Sequence, residues 1–220
     1  MSGLLVLVPT DLELSKLQPL LGDRVAQAGG ILRTCGFGPI SSGIRTMQLL
    51  AECRPTAVVL VGIAGAYGGD LAVGTAATFS RFACYGIGAG SGPSFRTAGE
   101  LGWPQLIDRK SGLSYGEIIP PPRESRSTEP DAGGAGRTLL TVCAASDSAD
   151  DVDDRLRRFP DAAAEDMEAY SVAMACGMAA VPLKVVRGIS NRAGDRNKAN
   201  WDITAALDAA AELVISGFGS

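Results

Sequence analysis

Five short apolar runs limit what this chain can fold into: LLVLV at 4–8, ILRT at 31–34, AVVLV at 57–61, TLLTVCA at 138–144 and LKVVRGIS at 183–190. Continuous β-branched and aliphatic runs of this length suit strands buried in a sheet, and Leu4–Val8 suits one covered on both faces. Between them lie stretches of helical period. Ile44, Met47, Gln48, Leu50 and Ala51 recur at helical spacing before Pro55, and a last helix is expected over 203–215. Strands that alternate with helices predict an α/β fold. No repeat or linker divides the chain, and 220 residues suit one fairly large domain spanning 1–220.

Composition removes several function classes. Hydrophobic residues make up 46% and charged residues 20%, as in a globular chain. The net charge of −4 argues against a nucleic-acid partner, whose phosphates need a basic surface. There is no histidine, which excludes His-based triads and most zinc sites. The five cysteines (35, 53, 84, 143 and 176) are widely spaced and form no CxxC pair. They read as small core residues in a reducing compartment, neither disulfide frame nor metal site. MSGLLVLVP lacks a basic leader and a cleavage site, so it reads as a first strand, and no apolar stretch is long enough for a membrane span. A cytoplasmic protein without membrane contact is expected.

Pro9-Thr10-Asp11 ends the first strand, and Thr10 or Asp11 can cap the following helix with Glu13 in its first turn. On position alone, Glu13 is a solvated helix-start carboxylate. After Val61, GIAGAYGG reads as a small-residue turn in which Gly62, Ala64 and Gly65 let a ligand approach the backbone. A further strand is expected over 75–84. From Gly86 to Arg137 the composition shifts to Gly, Pro, Ser and charge, which reads as long loops around one or two short elements. GIGAG there opens no helix and is followed by no strand-end acid, so it is no dinucleotide fingerprint; a GxxxxGK[ST] loop is absent as well. Ser146–Asp154 is acidic and polar, and RLRRF supplies the polar face of a helix before Pro160.

The stretch Ala162–Asn191 concentrates the chemistry. It reads as an alanine-rich helix with Glu165, Asp166 and Glu168 in its first turns, then, past Pro182, a strand ending on Ser190-Asn191. Acids at a helix start suit its dipole. Glu168 is followed by Ala169, Ala173, Met174 and Ala175, so its carboxylate faces an apolar wall and needs partners, which vicinal sugar hydroxyls can supply. Asn191 stands at the carboxyl end of a buried strand, where α/β proteins place ligand contacts. Arg187 reads as the structural partner of a buried acid, and Arg192, Arg196 and Lys198 as a solvated loop.

Four segments, VLVPTDLELSKL, TCGFGPISSGIRTMQLL, VLVGIAGAYGGDLAVGT and AEDMEAYSVAMACGMAAVPLKVVRGISN, in this order, resemble the nucleoside phosphorylase/nucleosidase superfamily. Within it they resemble the methylthioadenosine/adenosylhomocysteine nucleosidases and, through RGISN-RAGDRNKANWD, most closely the futalosine hydrolases of menaquinone biosynthesis. Only 86–137 fits poorly. The resemblance implies a central mixed sheet flanked by helices, a homo-oligomer (dimer or larger), and hydrolysis of a purine–ribose bond without metal or cofactor. By position it implies Glu13 as the acid that activates water and Met167-Glu168 as the pair that packs on the ribose and accepts its hydroxyl hydrogens. It places Asn191 at the purine, where adenine-specific relatives have an aspartate, and Ala64 and Gly65 beside sugar and base. Arg192, Arg196 or Lys198 meeting a substrate carboxylate is a minor reading. The alternatives are a methylthioadenosine/adenosylhomocysteine nucleosidase, a purine nucleoside phosphorylase and, outside enzymes, a catalytically silent nucleoside-binding protein. The acids of VPTDLEL suit water better than phosphate.

Overall fold

A computed structural model describes residues 3–109, 112–119 and 136–217. The chain opens with β1 (Leu4–Val8), α1 (Asp11–Gln27), β2 (Ile31–Thr34), α2 (Pro39–Cys53) and β3 (Ala57–Ala66). Then come β4 (Ala76–Phe79), β5 (Arg81–Tyr85) and five short strands, β6 (Gly88–Ala89), β7 (Arg96–Thr97), β8 (Leu106–Asp108), β9 (Leu113–Tyr115) and β10 (Ile118–Ile119). The chain closes with β11 (Thr138–Val142), α3 (Ala149–Arg158), β12 (Ala162–Asp166), α4 (Ala169–Ala179), β13 (Leu183–Arg192) and α5 (Ile203–Ser216). No helix among the described residues is long and apolar enough to cross a membrane.

Nine strands form one mixed sheet: β10-β5-β11-β12-β3-β1-β2 runs along it, and β13 pairs with both β3 and β4. Strand periodicity sorts the core into two layers. Leu5, Leu7, Val58 and Leu60 pack with Leu49 and Leu50 of α2 and with Tyr170 and Val172 of α4. Their neighbours Val6, Val8, Val59 and Val61 pack with Leu17 and Leu21 of α1 and Leu207 of α5. A third cluster holds Leu140, Val142 and Phe159, beside α3. The expected mixed sheet flanked by helices is therefore observed.

Three expectations need correction. Ala162–Asp166 is a strand, and the helix begins only at Ala169. Alanine is a strong helix former, but local propensity is readily overridden and here sheet pairing decides: β12 lies between β11 and β3. GIAGAYGG does not turn after Val61, because β3 continues through Ala64 and Gly65 to Ala66 along β13. The strand expected over 75–84 is two strands broken at Ser80, since β4 pairs with β13 whereas β5 pairs with β11. In the 86–137 excursion the structure shows five short strands; much of its proline- and glycine-rich part, 120–135, lies outside the described residues.

The most buried feature is an ion pair. Arg187 on β13 and Asp166 on β12 both have fully buried side chains, and Asp166 Oδ2 accepts from Arg187 Nη2 at 2.5 Å and Nε at 3.1 Å. Asp166 also accepts from Thr141 Oγ1 at 2.6 Å and from the Ala169 N–H at 2.9 Å, so it caps α4 while it anchors the arginine. Removing one member of such a pair strands the other charge in the core. Asp166→Asn should cost about 3–5 kcal/mol in urea-induced unfolding. A loss below about 1 kcal/mol would show that the neighbouring carboxylates hold Arg187 without it.

Candidate active site

The sheet has a gap beside β3. Residues 57–60 of β3 pair with β1, whereas Gly65 and Ala66 pair with β12, which runs the other way. Between these partners the Ile63 N–H is taken up by a side chain, donating to Glu13 Oε1 at 3.0 Å. Glu13 reaches it from the start of α1. Thr10 Oγ1 accepts from the Glu13 N–H at 3.2 Å, and Glu13 Oε2 accepts from the Thr10 N–H at 3.1 Å and the Thr10 hydroxyl at 2.6 Å. This reciprocal cap turns the carboxylate inward. Glu13 is only 4% exposed, so the solvated reading from sequence is corrected: the partner of Oε1 lies on another strand.

Gly62 makes the room for this approach. A Cβ there would overlap Arg187 Nη1 and lie 2.7 Å from Glu13 Oε1, so both polar atoms stand over its bare Cα. Arg187 Nη1 is buried and finds no hydrogen-bond acceptor among the described residues. Burial alone would weaken the arginine's charge, but Asp166, Glu168 and Glu13 together hold its pKa above the ordinary value. The expected pairing of Arg187 with a buried acid is observed, with two acids instead of one.

Glu168 follows β12 and stands at the N-cap of α4. Its Oε2 accepts from Arg187 Nη2 at 3.3 Å and its Oε1 from the Gly38 N–H at 3.0 Å. Gly38 precedes α2 with φ 82°, a conformation that favours glycine, so the carboxylate also meets the positive end of a helix. Burial nevertheless dominates. It pushes the Glu168 pKa from 4.5 up to about 7 despite Arg187; nearby Asp166 adds to the rise, Gly38 opposes it, and Glu13 adds again. The buried Cys35 thiol belongs to the same neighbourhood: burial lifts it to about 12, against Arg187 and with Glu168 and Glu13. It stays a neutral thiol.

One strand further on, Asn191 is 8% exposed and lies across from Gly65, whose added Cβ would meet Asn191 Nδ2 at 3.3 Å. Ala64 and Gly65 thus sit inside β3, with Gly65 placed between Asn191 and Glu165. Met167 is half-buried and packs against the cluster of Tyr67, Val142 and Phe159. The structure brings Glu13 and Glu168 together around Arg187, and sets Asn191 at the far end of the same strand. Arg192 bonds the Gly68 carbonyl, and the Arg196 guanidinium stacks 5.0 Å from the Trp201 ring centre.

Sequence reading missed a second buried ion pair. Glu165, the residue before Asp166 on β12, accepts from Arg155 Nη1 at 2.8 Å, the Ser146 N–H at 2.8 Å and Tyr67 Oη at 2.7 Å. Arg155 belongs to RLRRF, and although three arginines in one helix turn look solvated, this one is 6% exposed. The alternation of Glu165 and Asp166 toward opposite faces was the available signal, once β12 is recognised as a strand.

Comparison with known proteins agrees with this architecture. Residues 135–216 match the phosphorylase superfamily. Over 176 residues the chain is 32% identical to futalosine hydrolase of Acidothermus cellulolyticus, covering 78% of this chain and 68% of that one. It is 25% identical over 177 residues to 5'-methylthioadenosine/S-adenosylhomocysteine nucleosidase of Chromohalobacter salexigens, covering 74% and 67%. The structure of Helicobacter pylori futalosine hydrolase shares the fold with a TM-score of 0.73 at 17% identity, covering 97% of this chain and 95% of that one. The chain belongs to the nucleoside phosphorylase/nucleosidase superfamily. Its relatives place its activity among the nucleosidases, enzymes that hydrolyse an N-glycosidic bond.

The raised pKa of Glu168 makes a signed prediction. A carboxyl whose folded pKa lies above its unfolded value stabilises the fold at low pH and loses that contribution as pH rises through the folded value. The stability of the protein relative to Glu168→Gln should therefore fall between pH 4.5 and about 7, with a slope of at most about 1.4 kcal/mol per pH unit. Urea titrations of both proteins across that range check it. A difference that is flat or rises with pH would contradict the assignment.

Proposed function

We propose that this protein hydrolyses the N-glycosidic bond of futalosine, releasing hypoxanthine and dehypoxanthine futalosine, a step of menaquinone biosynthesis. The observation that carries the hydrolytic reading is the geometry over Gly62, where Arg187 Nη1 without a protein acceptor and Glu13 Oε1 face one spot. In this reading the attacking water donates to Glu13. Phosphate fits poorly, because Glu13, Glu168 and Asp166 gather three carboxylates around one guanidinium and like charges in a buried site repel strongly. This favours the nucleosidase over the phosphorylase.

In this reading Glu13 takes the proton of the attacking water as general base. Glu168 accepts the ribose hydroxyl hydrogens, which favours its ionised form, and so supports the positive charge that grows on the sugar. Met167 packs on the ribose, and Ala64 and Gly65 lie beside sugar and base. Asn191 receives the purine. Its carbonyl accepts from protonated N7 and its NH₂ donates to a 6-oxo oxygen, whereas the exocyclic amine of adenine would face another donor. That mismatch should cost about 1–3 kcal/mol in a buried site, a preference for hypoxanthine of about fivefold or more. None of these roles calls on a metal or cofactor.

Hypoxanthine release from futalosine, measured with and without phosphate and beside methylthioadenosine, tests the proposal. Cleavage of futalosine that ignores phosphate is expected. Equal cleavage of methylthioadenosine would sink the substrate assignment, and a phosphate requirement would sink hydrolysis. Glu13→Gln should lower turnover at least about a hundredfold while leaving the fold intact, because an amide takes no proton from water.

The same reading includes a homo-oligomer. Phe37, Ile40, Ile44 and Met47 are exposed at helical spacing along and just before α2, on a face left out of the core. Phe37 adjoins Gly38, whose N–H holds Glu168, so a second copy on this face would flank the site. Ile44→Glu should shift the molecular mass by light scattering toward the monomer, and an unchanged mass would remove α2 from the interface.

A further inference from the structure

An asparagine is a poor judge of purines on its own, because its two ends are nearly the same shape. Turned one way, its NH₂ donates to a 6-oxo oxygen and its carbonyl accepts from a protonated N7. Turned the other way, it pairs with the N7 and 6-amino group of adenine, the bidentate match asparagine makes elsewhere. Selectivity by Asn191 therefore needs something that stops the amide from turning over, and the structure contains such a device.

The β13–β3 register shifts between Ile189 and Asn191, which pair with the consecutive residues Ala64 and Gly65. Ser190 is the extra residue of this bulge. In a regular strand the side chains of 190 and 191 would point to opposite faces, but a bulge re-aims them. Here Ser190 Oγ lies 2.8 Å from Asn191 Oδ1, and Asn191 Nδ2 lies 2.8 Å from the Arg192 carbonyl oxygen. A carbonyl can only accept, so the amide end that faces Arg192 must be the NH₂. The other end is then the carbonyl oxygen, and the Ser190 hydroxyl must donate to it. Ser190 is 1% exposed, and its own C=O accepts from the Asp202 N–H at 2.8 Å, so the backbone that carries the hydroxyl is fixed as well. One N–H and one oxygen lone pair of Asn191 stay free for a ligand. Their order is set.

We propose that Ser190 is a positioning residue that fixes base preference by clamping the Asn191 amide in one orientation together with the Arg192 carbonyl. The proposal rests on the assignment of Asn191 to the base. The Arg192 carbonyl sets which end is the NH₂ and the hydroxyl holds the oxygen end in place, so without the hydroxyl the amide can tilt about its Cβ–Cγ bond. Hypoxanthine then loses the preset alignment of donor and acceptor, and the discrimination against adenine weakens. A hydroxyl on a threonine at the same position can restore the clamp.

The test compares wild type, Ser190→Ala and Ser190→Thr on two nucleosides that share a 5′ group and differ only in carrying hypoxanthine or adenine. Binding of the two free bases is measured alongside by calorimetry. Ser190→Ala should lower the hypoxanthine-to-adenine ratio of kcat/KM by about fivefold or more, with the same trend in free-base binding, and Ser190→Thr should bring the ratio back to within about twofold of wild type. A merely structural serine would depress both substrates alike. An unchanged ratio in Ser190→Ala, or a ratio that the threonine does not recover, overturns the clamp. The wild-type assay answers separately for the underlying reading: a wild type that releases neither base fails as a nucleosidase, while the free-base ratios still report on the clamp.

Discussion

Among the described residues Arg187 has the largest fully buried side chain, and much of the site is arranged to accommodate its charge. A guanidinium in the middle of a sheet is tolerable only with close anions. Asp166 meets most of that need through two hydrogen bonds, and in turn draws in Thr141 and the first turn of α4. Because Asp166 sits on β12 and Arg187 on β13, the pair spans β3, which lies between those strands and carries glycine at 62 and 65. Large side chains at Gly62 would push the ion pair and Glu13 apart. The small residues that sequence reading assigned to a turn serve instead to let charged groups come together across a strand.

The gap in the sheet follows from the same arrangement. A parallel partner, β1, leaves β3 at residue 60, and an antiparallel partner, β12, joins it at 65. A backbone N–H exposed by such a change of partner must be satisfied. Glu13 does this at Ile63, and doing so fixes one carboxylate oxygen over the site. Ligands of open α/β sheets bind where strand order changes direction, and this sheet provides its own version of that position. The helix cap at Thr10, the gap in β3 and the buried arginine are therefore one structure.

Much of the fold was legible in the sequence because its signals are local. Leu4–Val8, Ile31–Thr34, Thr138–Val142 and the start of β3 announce themselves by composition, and α2 and α5 by period. The AAAED strand was not legible, because alanine and glutamate favour helices locally and only pairing with β3 and β11 overrules them. The site behaves the same way. Glu13, Glu168 and Asn191 could be named through family resemblance, but their partners lie far along the chain: Ile63 for Glu13, Gly38 for Glu168. Burial of Glu13 depends on Ile63, and burial of Arg155 on Glu165 and Ser146, which meet it only once β12 is a strand of the sheet.

Glu165 and Asp166 show why β12 had to be a strand for this chemistry to exist. Adjacent residues of a strand face opposite sides, so Glu165 binds Arg155, Ser146 and Tyr67 on one side while Asp166 binds Arg187 on the other. In a helix the two acids would stand about 100° apart and could not serve opposite faces. The first pair ties α3 and the segment at Ser146 to the sheet, and that segment reaches the loop after Asn191, where a Cβ on Gly194 would meet the Ser148 carbonyl at 2.8 Å. The second pair holds Arg187 beside Glu168 and Glu13. Two neighbouring carboxylates thus brace the Ser146 segment and the Arg187 cluster from the two faces of one strand, and neither could be moved by a residue without exchanging the jobs of both.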